Sequence, residues 1–188
     1  MYKLCHTEES SRRQRQLEQD LLDAMQHQPY EKITLTELCR EQTIPRKTFY
    51  RYFPTKEDCL LALIDHTLSD CNDVALKGWD GSRELDRTTQ LRFFGYWREQ
   101  EAFLNAVADN GFSWLLLDRT AAIVDKMKEN SPSESFARDQ VEYFVAHGLM
   151  ATVLRWHRFG FQSTPEEMAE VFGQLLCTKE IAFNRLLL

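Results

Sequence analysis

Glycine and proline are scarce, seven and five in 188 residues, too few for the many tight turns of an all-β chain. No run alternates strictly between apolar and polar, so strands have no sequence signal. The five cysteines (Cys5, Cys39, Cys59, Cys71, Cys177) are odd in number and scattered, which points to reduced thiols in a cytoplasmic protein rather than a disulfide framework. The N-terminal MYKLCHTEESSRRQRQ has no apolar signal-peptide core. The twelve uncharged residues Tyr143–Leu154 fall short of the roughly 20 needed to span a bilayer, so no membrane contact is expected. Missing too are a glycine-rich phosphate loop, a His-Glu-x-x-His pair and a nucleophile elbow, so neither catalytic residues nor a cofactor are assigned. Cys59, His66 and Cys71 fall on one expected helix but lie seven and five residues apart. They share no tight face, and a tetrahedral zinc site would need ligands from elsewhere. No metal is assigned.

What is present is helical periodicity. Apolar residues recur at spacings of three and four, which predicts an all-α chain of about nine helices. The first is expected over Ser11–Gln28, with Leu17, Leu21, Leu22 and Met25 inward and Pro29 as its stop. Thr34 and Glu37 form a capping box for a second helix, and Ile44 follows a turn. Pro45 suits the first position of a third helix, whose inward residues are Phe49 and Phe53. Pro54 ends it, and Thr55-Lys56-Glu57-Asp58 opens a long fourth helix that breaks at Gly78–Ser82. Further helices are expected over 85–98, 101–110 and 112–129, then a long one over Glu134–Phe159 and a last one over Pro165–Cys177. Thr164 and Glu167 cap the last.

Charge is unevenly spread. The net charge is −6, yet residues 1–60 hold ten lysines and arginines against ten acids. Within Thr43–Lys56 stand Arg46, Lys47, Arg51 and Lys56 and no acid. A basic, aromatic helix on an acidic chain has the electrostatic footprint of a nucleic-acid site.

The segment from about Leu17 to Leu68 resembles the DNA-binding head of the tetracycline-repressor (TetR/AcrR) family of bacterial transcriptional regulators. The resemblance is carried by Thr34, by Phe49-Tyr50-Arg51-Tyr52-Phe53 and by Pro54-Thr55-Lys56-Glu57. Thr43 departs from it, standing where the family usually has a small residue. The resemblance implies a helix-turn-helix over about 34–53 within a DNA-binding domain of residues 1–57. Thr36 and Lys56 would meet phosphate, and Arg46, Lys47 and Thr48 would face base edges or adjacent phosphates. Tyr50 and Tyr52 would meet backbone or thymine methyls, and Arg51 phosphate. The chemistry agrees, since arginine and lysine reach guanine O6/N7 and hydroxyls fix register on phosphate.

Residues 58–188 are expected to form a ligand-binding and dimerisation domain. The long helix is apolar nearly all round (Phe136, Val141, Phe144, Val145, Leu149, Val153, Trp156), so it must bury more than one face. With the last helix it would make a homodimer surface, and Gly148 and Ala151 would permit close approach. The body also resembles a C-terminal type common in regulators from low-GC Gram-positive bacteria, through Trp97-Arg98 and Trp156 with Gly160-Phe161. Family resemblance puts an effector pocket among these helices, with Trp97, Phe103, Trp114, Tyr143 and His147 as candidates. Plain core packing is the alternative for each. The function implied is a ligand-responsive repressor that binds a palindromic operator in double-stranded DNA as a homodimer and is released by a small molecule. A TetR-like coactivator or adaptor acting through a partner protein is the alternative.

Overall fold

In the computed structural model, residues 2, 5, 7–41, 44–78, 86–130 and 136–177 are described. Among them there are nine α-helices and no strand: α1 (Glu8–Met25), α2 (Leu35–Glu41), α3 (Arg46–Tyr52), α4 (Lys56–Ala75), α5 (Arg87–Glu99), α6 (Glu101–Asp109), α7 (Ser113–Asn130), α8 (Phe136–Arg158) and α9 (Pro165–Cys177). A short 3-10 turn, Tyr30–Lys32, precedes α2. The all-α expectation holds, with most boundaries within two residues. The exception is α1, which starts earlier because Thr7 and Ser10 form a reciprocal cap, and which also ends earlier, at Met25 rather than Gln28. The expected turn residue Thr43 lies outside the described residues, as do residues 79–85 and 131–135.

The caps follow the sequence. Thr34 Oγ1 accepts from the Glu37 amide at 3.2 Å, and Glu37 Oε2 accepts from the Thr34 amide at 3.3 Å. Thr55 accepts from the Asp58 amide at 3.0 Å and so starts α4 at Lys56. The Thr164–Glu167 box starts α9 in the same way. Each box satisfies two amides that the first turn of a helix leaves without partners.

The buried apolar residues form one continuous cluster from Leu17 and Leu21 of α1 through Phe49 and Phe53 to Trp97, Val153 and Phe172. The helix α4 is its spine. It packs on α1 at one side and on α5 and α7 at the other, burying Cys59, Leu60, Leu63, Ile64, Leu68 and Cys71. Polar ties run along the same helix. Arg15 grips Asp70 with two hydrogen bonds of 2.7 and 2.9 Å. Arg119 of α7 holds Asp65 with two of 2.6 Å, and the Tyr2 hydroxyl donates to the same carboxylate at 2.7 Å. His66 Nδ1 sits 2.8 Å from buried Glu18. Burial raises the Glu18 carboxyl above its ordinary range, and the histidine partly offsets this. Of the three residues considered for metal, His66 is therefore engaged by Glu18. Cys59 and Cys71 are buried, and the Cys59 thiol points at the Leu17 carbonyl.

The helix α8 turns one side inward, burying Met150, Val153 and Trp156. Its other side stays open, with Phe136, Val141 and Phe144 each more than half exposed. At its C-terminal end, Gly160 and Phe161 both adopt positive φ (+68° and +53°), a costly conformation for phenylalanine. The buried Phe161 ring offsets that cost. It packs edge-on against Trp156 at 4.7 Å, with the Arg98 guanidinium 4.6 Å over its face. Nearby, His157 Nε2 meets Asn105 Oδ1 at 2.8 Å, and burial lowers the His157 pKa below its ordinary 6.5. Between the lowered value and 6.5 the unfolded chain binds more protons than the folded one. Stability is therefore lost as pH falls through that window. His157→Gln is expected to flatten the dependence of Tm on pH just below 6.5, read by thermal denaturation across a pH series.

Candidate nucleic-acid interface

The helix α3 spans only seven residues, Arg46–Tyr52, and could not hold its shape alone. It is held by what it buries. Phe49 and Phe53 are fully buried, with ring centroids 5.4 Å apart. Pro45 sits one place before the helix and Phe53 closes it, the Phe53 amide donating to the Phe49 carbonyl. With Phe49, Tyr52 and Phe53 inward, the opposite face presents Arg46, Lys47, Tyr50 and Arg51 outward, with Thr48 half-buried beside them. No acid lies within α3. An exposed cationic face with an aromatic ring at its centre can meet phosphate and read base edges.

The structure parts the eight expected contact residues into two groups. Arg46, Lys47, Tyr50 and Arg51 are exposed on α3, and Thr36 is exposed on α2. The Thr36 hydroxyl accepts from the Arg46 guanidinium, so these two side chains work as one unit across the turn. Tyr52 stands apart from these. It is only 5 % exposed and its hydroxyl accepts from Arg51 at 2.8 Å. Position 52 is three residues after Phe49 and so shares its buried face. Tyr52 supports Arg51, whose guanidinium lies 4.9 Å from its ring centroid.

Lys56 also stands apart. Its ammonium is turned inward, donating to the Tyr30 and Ile33 carbonyls at 2.7 Å each, 4.0 Å from the Tyr30 ring centroid. Burial pulls the Lys56 pKa below the ordinary lysine range. The side chain thus ties the start of α4 to the 3-10 turn before α2. The first backbone amides of α4 could meet phosphate there as well. Sequence reasoning missed the 3-10 turn itself. Tyr30, after Pro29, was its one signal.

The five residues considered for an effector pocket do not come together. Trp97 and Phe103 are buried in the core with ring centroids 6.3 Å apart. Trp114 is 65 % exposed at the start of α7. Tyr143 and His147 do share one shallow surface patch with Gln140, Phe144, Gly148 and Ala151. That patch is the open face of α8. The spacing of 140, 143, 144, 147, 148 and 151 is one helical stripe, legible in the sequence once α8 is drawn.

Residues 22–63, from the end of α1 through α2 and α3 into α4, match the family model described as bacterial regulatory proteins, tetR family. No curated protein matches the chain at a significant level. No helix among the described residues is long and apolar enough to cross a membrane. The matched segment contains the whole basic face of α3 and the caps that orient it, and this head is a DNA-binding domain of the tetR type found in bacterial transcriptional regulators.

Proposed function

We propose that the chain is a cytoplasmic, ligand-responsive repressor that binds a palindromic operator as a homodimer. Residues 1–57 would read the DNA, and residues 58–188 would bind the effector and pair the subunits. The observation that carries this reading is the α3 face. Arg46, Lys47 and Tyr50 project from a helix whose other side is anchored by Phe49 and Phe53. One such head makes too few contacts for specific binding, and a two-fold pair matches two half-sites spaced by whole turns of DNA. The open apolar stripe of α8, with Phe136, Val141 and Phe144 exposed, supports a second copy as its cover. Effector release would be a population shift between two spacings of the heads, limited by the effector's differential affinity for them.

The test is fluorescence anisotropy with DNA from upstream of the chain's own gene, across a salt series, against a scrambled duplex. The expected result is sequence-dependent binding with a steep salt slope. Sequence-indifferent binding there, together with an empty genome-wide pull-down of DNA fragments, would sink direct operator reading. The dimer has its own test. A Cβ at Gly148 meets no atom within 4 Å in the single chain, so Gly148→Arg leaves the subunit folded and blocks close helix approach. Sedimentation should give half the wild-type mass for this variant. An unchanged mass places the subunit contact elsewhere.

A further inference from the structure

The body touches the head at a point other than α4. The α6–α7 turn reaches the 3-10 turn that precedes α2. Asn110 Oδ1 accepts from the Tyr30 amide at 2.6 Å, and Asn110 Nδ2 donates to the Ala106 carbonyl at 2.8 Å. The second bond fixes which end of the amide faces the head. Gly111 then turns the chain with φ +72°, and the Phe112 ring meets Tyr30 edge-on, centroids 5.0 Å apart at 90°. From the other side, Lys56 holds the carbonyls of Tyr30 and Ile33. Two residues beyond Ile33, α2 begins with its Thr34 cap. A second bond joins the same two parts, from Gln26 Nε2 at the end of α1 to the Ala102 carbonyl in α6, at 2.8 Å.

We infer that Asn110 is a positioning residue for DNA binding, holding the Tyr30–Lys32 turn, and through it the start of α2 and α4, in the arrangement that meets DNA. The inference rests on the head's being the DNA-binding part. Tyr30 is 7 % exposed, and an amide hydrogen there has no water to turn to. Asn110 is therefore a specific partner. The turn has two holders, one from the body and one from α4. A change of the body that shifts the end of α6 must move Tyr30, and Lys56 carries that movement to the start of α4. Asn110 itself touches no DNA in this scheme. It sets where Thr36 and the first amides of α4 stand.

The experiment uses the full chain and a duplex selected from a randomised pool by the wild-type protein. If no duplex is enriched, the DNA-binding reading itself fails and Asn110 is not the cause. With a duplex in hand, Asn110→Leu keeps the volume and removes both hydrogen bonds. Its affinity is expected to fall about five- to tenfold, the effect of one orphaned buried amide. The active fraction by stoichiometric titration and the salt slope should stay at the wild-type values, since no phosphate contact is removed. A merely structural role would lower the active fraction instead. Asn110→Asp keeps the acceptor for the Tyr30 amide and is expected to bind within about twofold of wild type. Wild-type affinity for Asn110→Leu overturns the proposal, as does a loss that Asn110→Asp shares in full. Should Asn110→Leu not fold by circular dichroism, Phe112→Leu decides. About a threefold loss at unchanged salt slope supports the clamp, and unchanged affinity overturns it.

Discussion

The double variant Lys47→Ala/Tyr50→Ala is expected to bind a selected duplex roughly a hundredfold more weakly than wild type, with its fold intact. The magnitude follows from removing two groups able to contact DNA, each of the order of 1–3 kcal/mol when it meets a base edge. Both residues are exposed on α3, and no side-chain hydrogen bond among the described residues engages either. The core that holds the helix is Phe49, Tyr52 and Phe53, so Tm should move by no more than about 2 °C, the ordinary range for surface changes. The single variants separate two kinds of contact. If Lys47 meets phosphate, Lys47→Ala weakens all sequences alike and lowers the salt slope by about one. If it meets a base, discrimination against a mutated site collapses while the slope holds. Survival of regulation in the double variant would favour a protein partner over direct operator reading.

Trp97→Ala is expected to be the most damaging single change to stability, at about 3–5 kcal/mol. For a chain of this size that corresponds to a fall in Tm of about 6–20 °C. Trp97 is fully buried, and its ring packs against Tyr96 at 5.5 Å, Phe103 at 6.3 Å and Phe93 at 6.4 Å. Truncation leaves a large void between α5 and its neighbours that a helical bundle cannot close without moving whole helices. The measurement is thermal denaturation of Trp97→Ala beside Trp114→Ala. The second residue, mostly exposed, should lose under about 0.5 kcal/mol. A small effect at Trp97, with loss of effector response, would mean that it lines a cavity that opens for a ligand.

Both predictions turn on facing, and there sequence and structure part company. Phe49 and Phe53 were legible as an inward pair because they are four apart and flanked by polar residues. Tyr52 was not, although its spacing from Phe49 places it on the same face. A tyrosine suits a buried face or a groove equally well, and its polar tip hides the difference. The body aromatics had the same ambiguity. Trp97, Phe103 and Trp114 read alike as large apolar residues on helices, yet two are buried and one is exposed. Helical spacing says that a residue shares a face with others. It does not say which neighbour covers that face, or whether any does.

By itself the sequence determined the helices, their caps and the basic face of α3, because these depend on residues within one or two turns of each other. A threonine three residues before a glutamate makes its cap wherever the helix ends up. The tertiary structure alone decided what Lys56 does, that α8 leaves one stripe open, and that Asn110 reaches Tyr30 across eighty residues of chain. A lysine beside a helix start can turn to solvent or to two carbonyls of another segment. Only the position of that segment, set by the packing of α1, α4 and α6, selects between them.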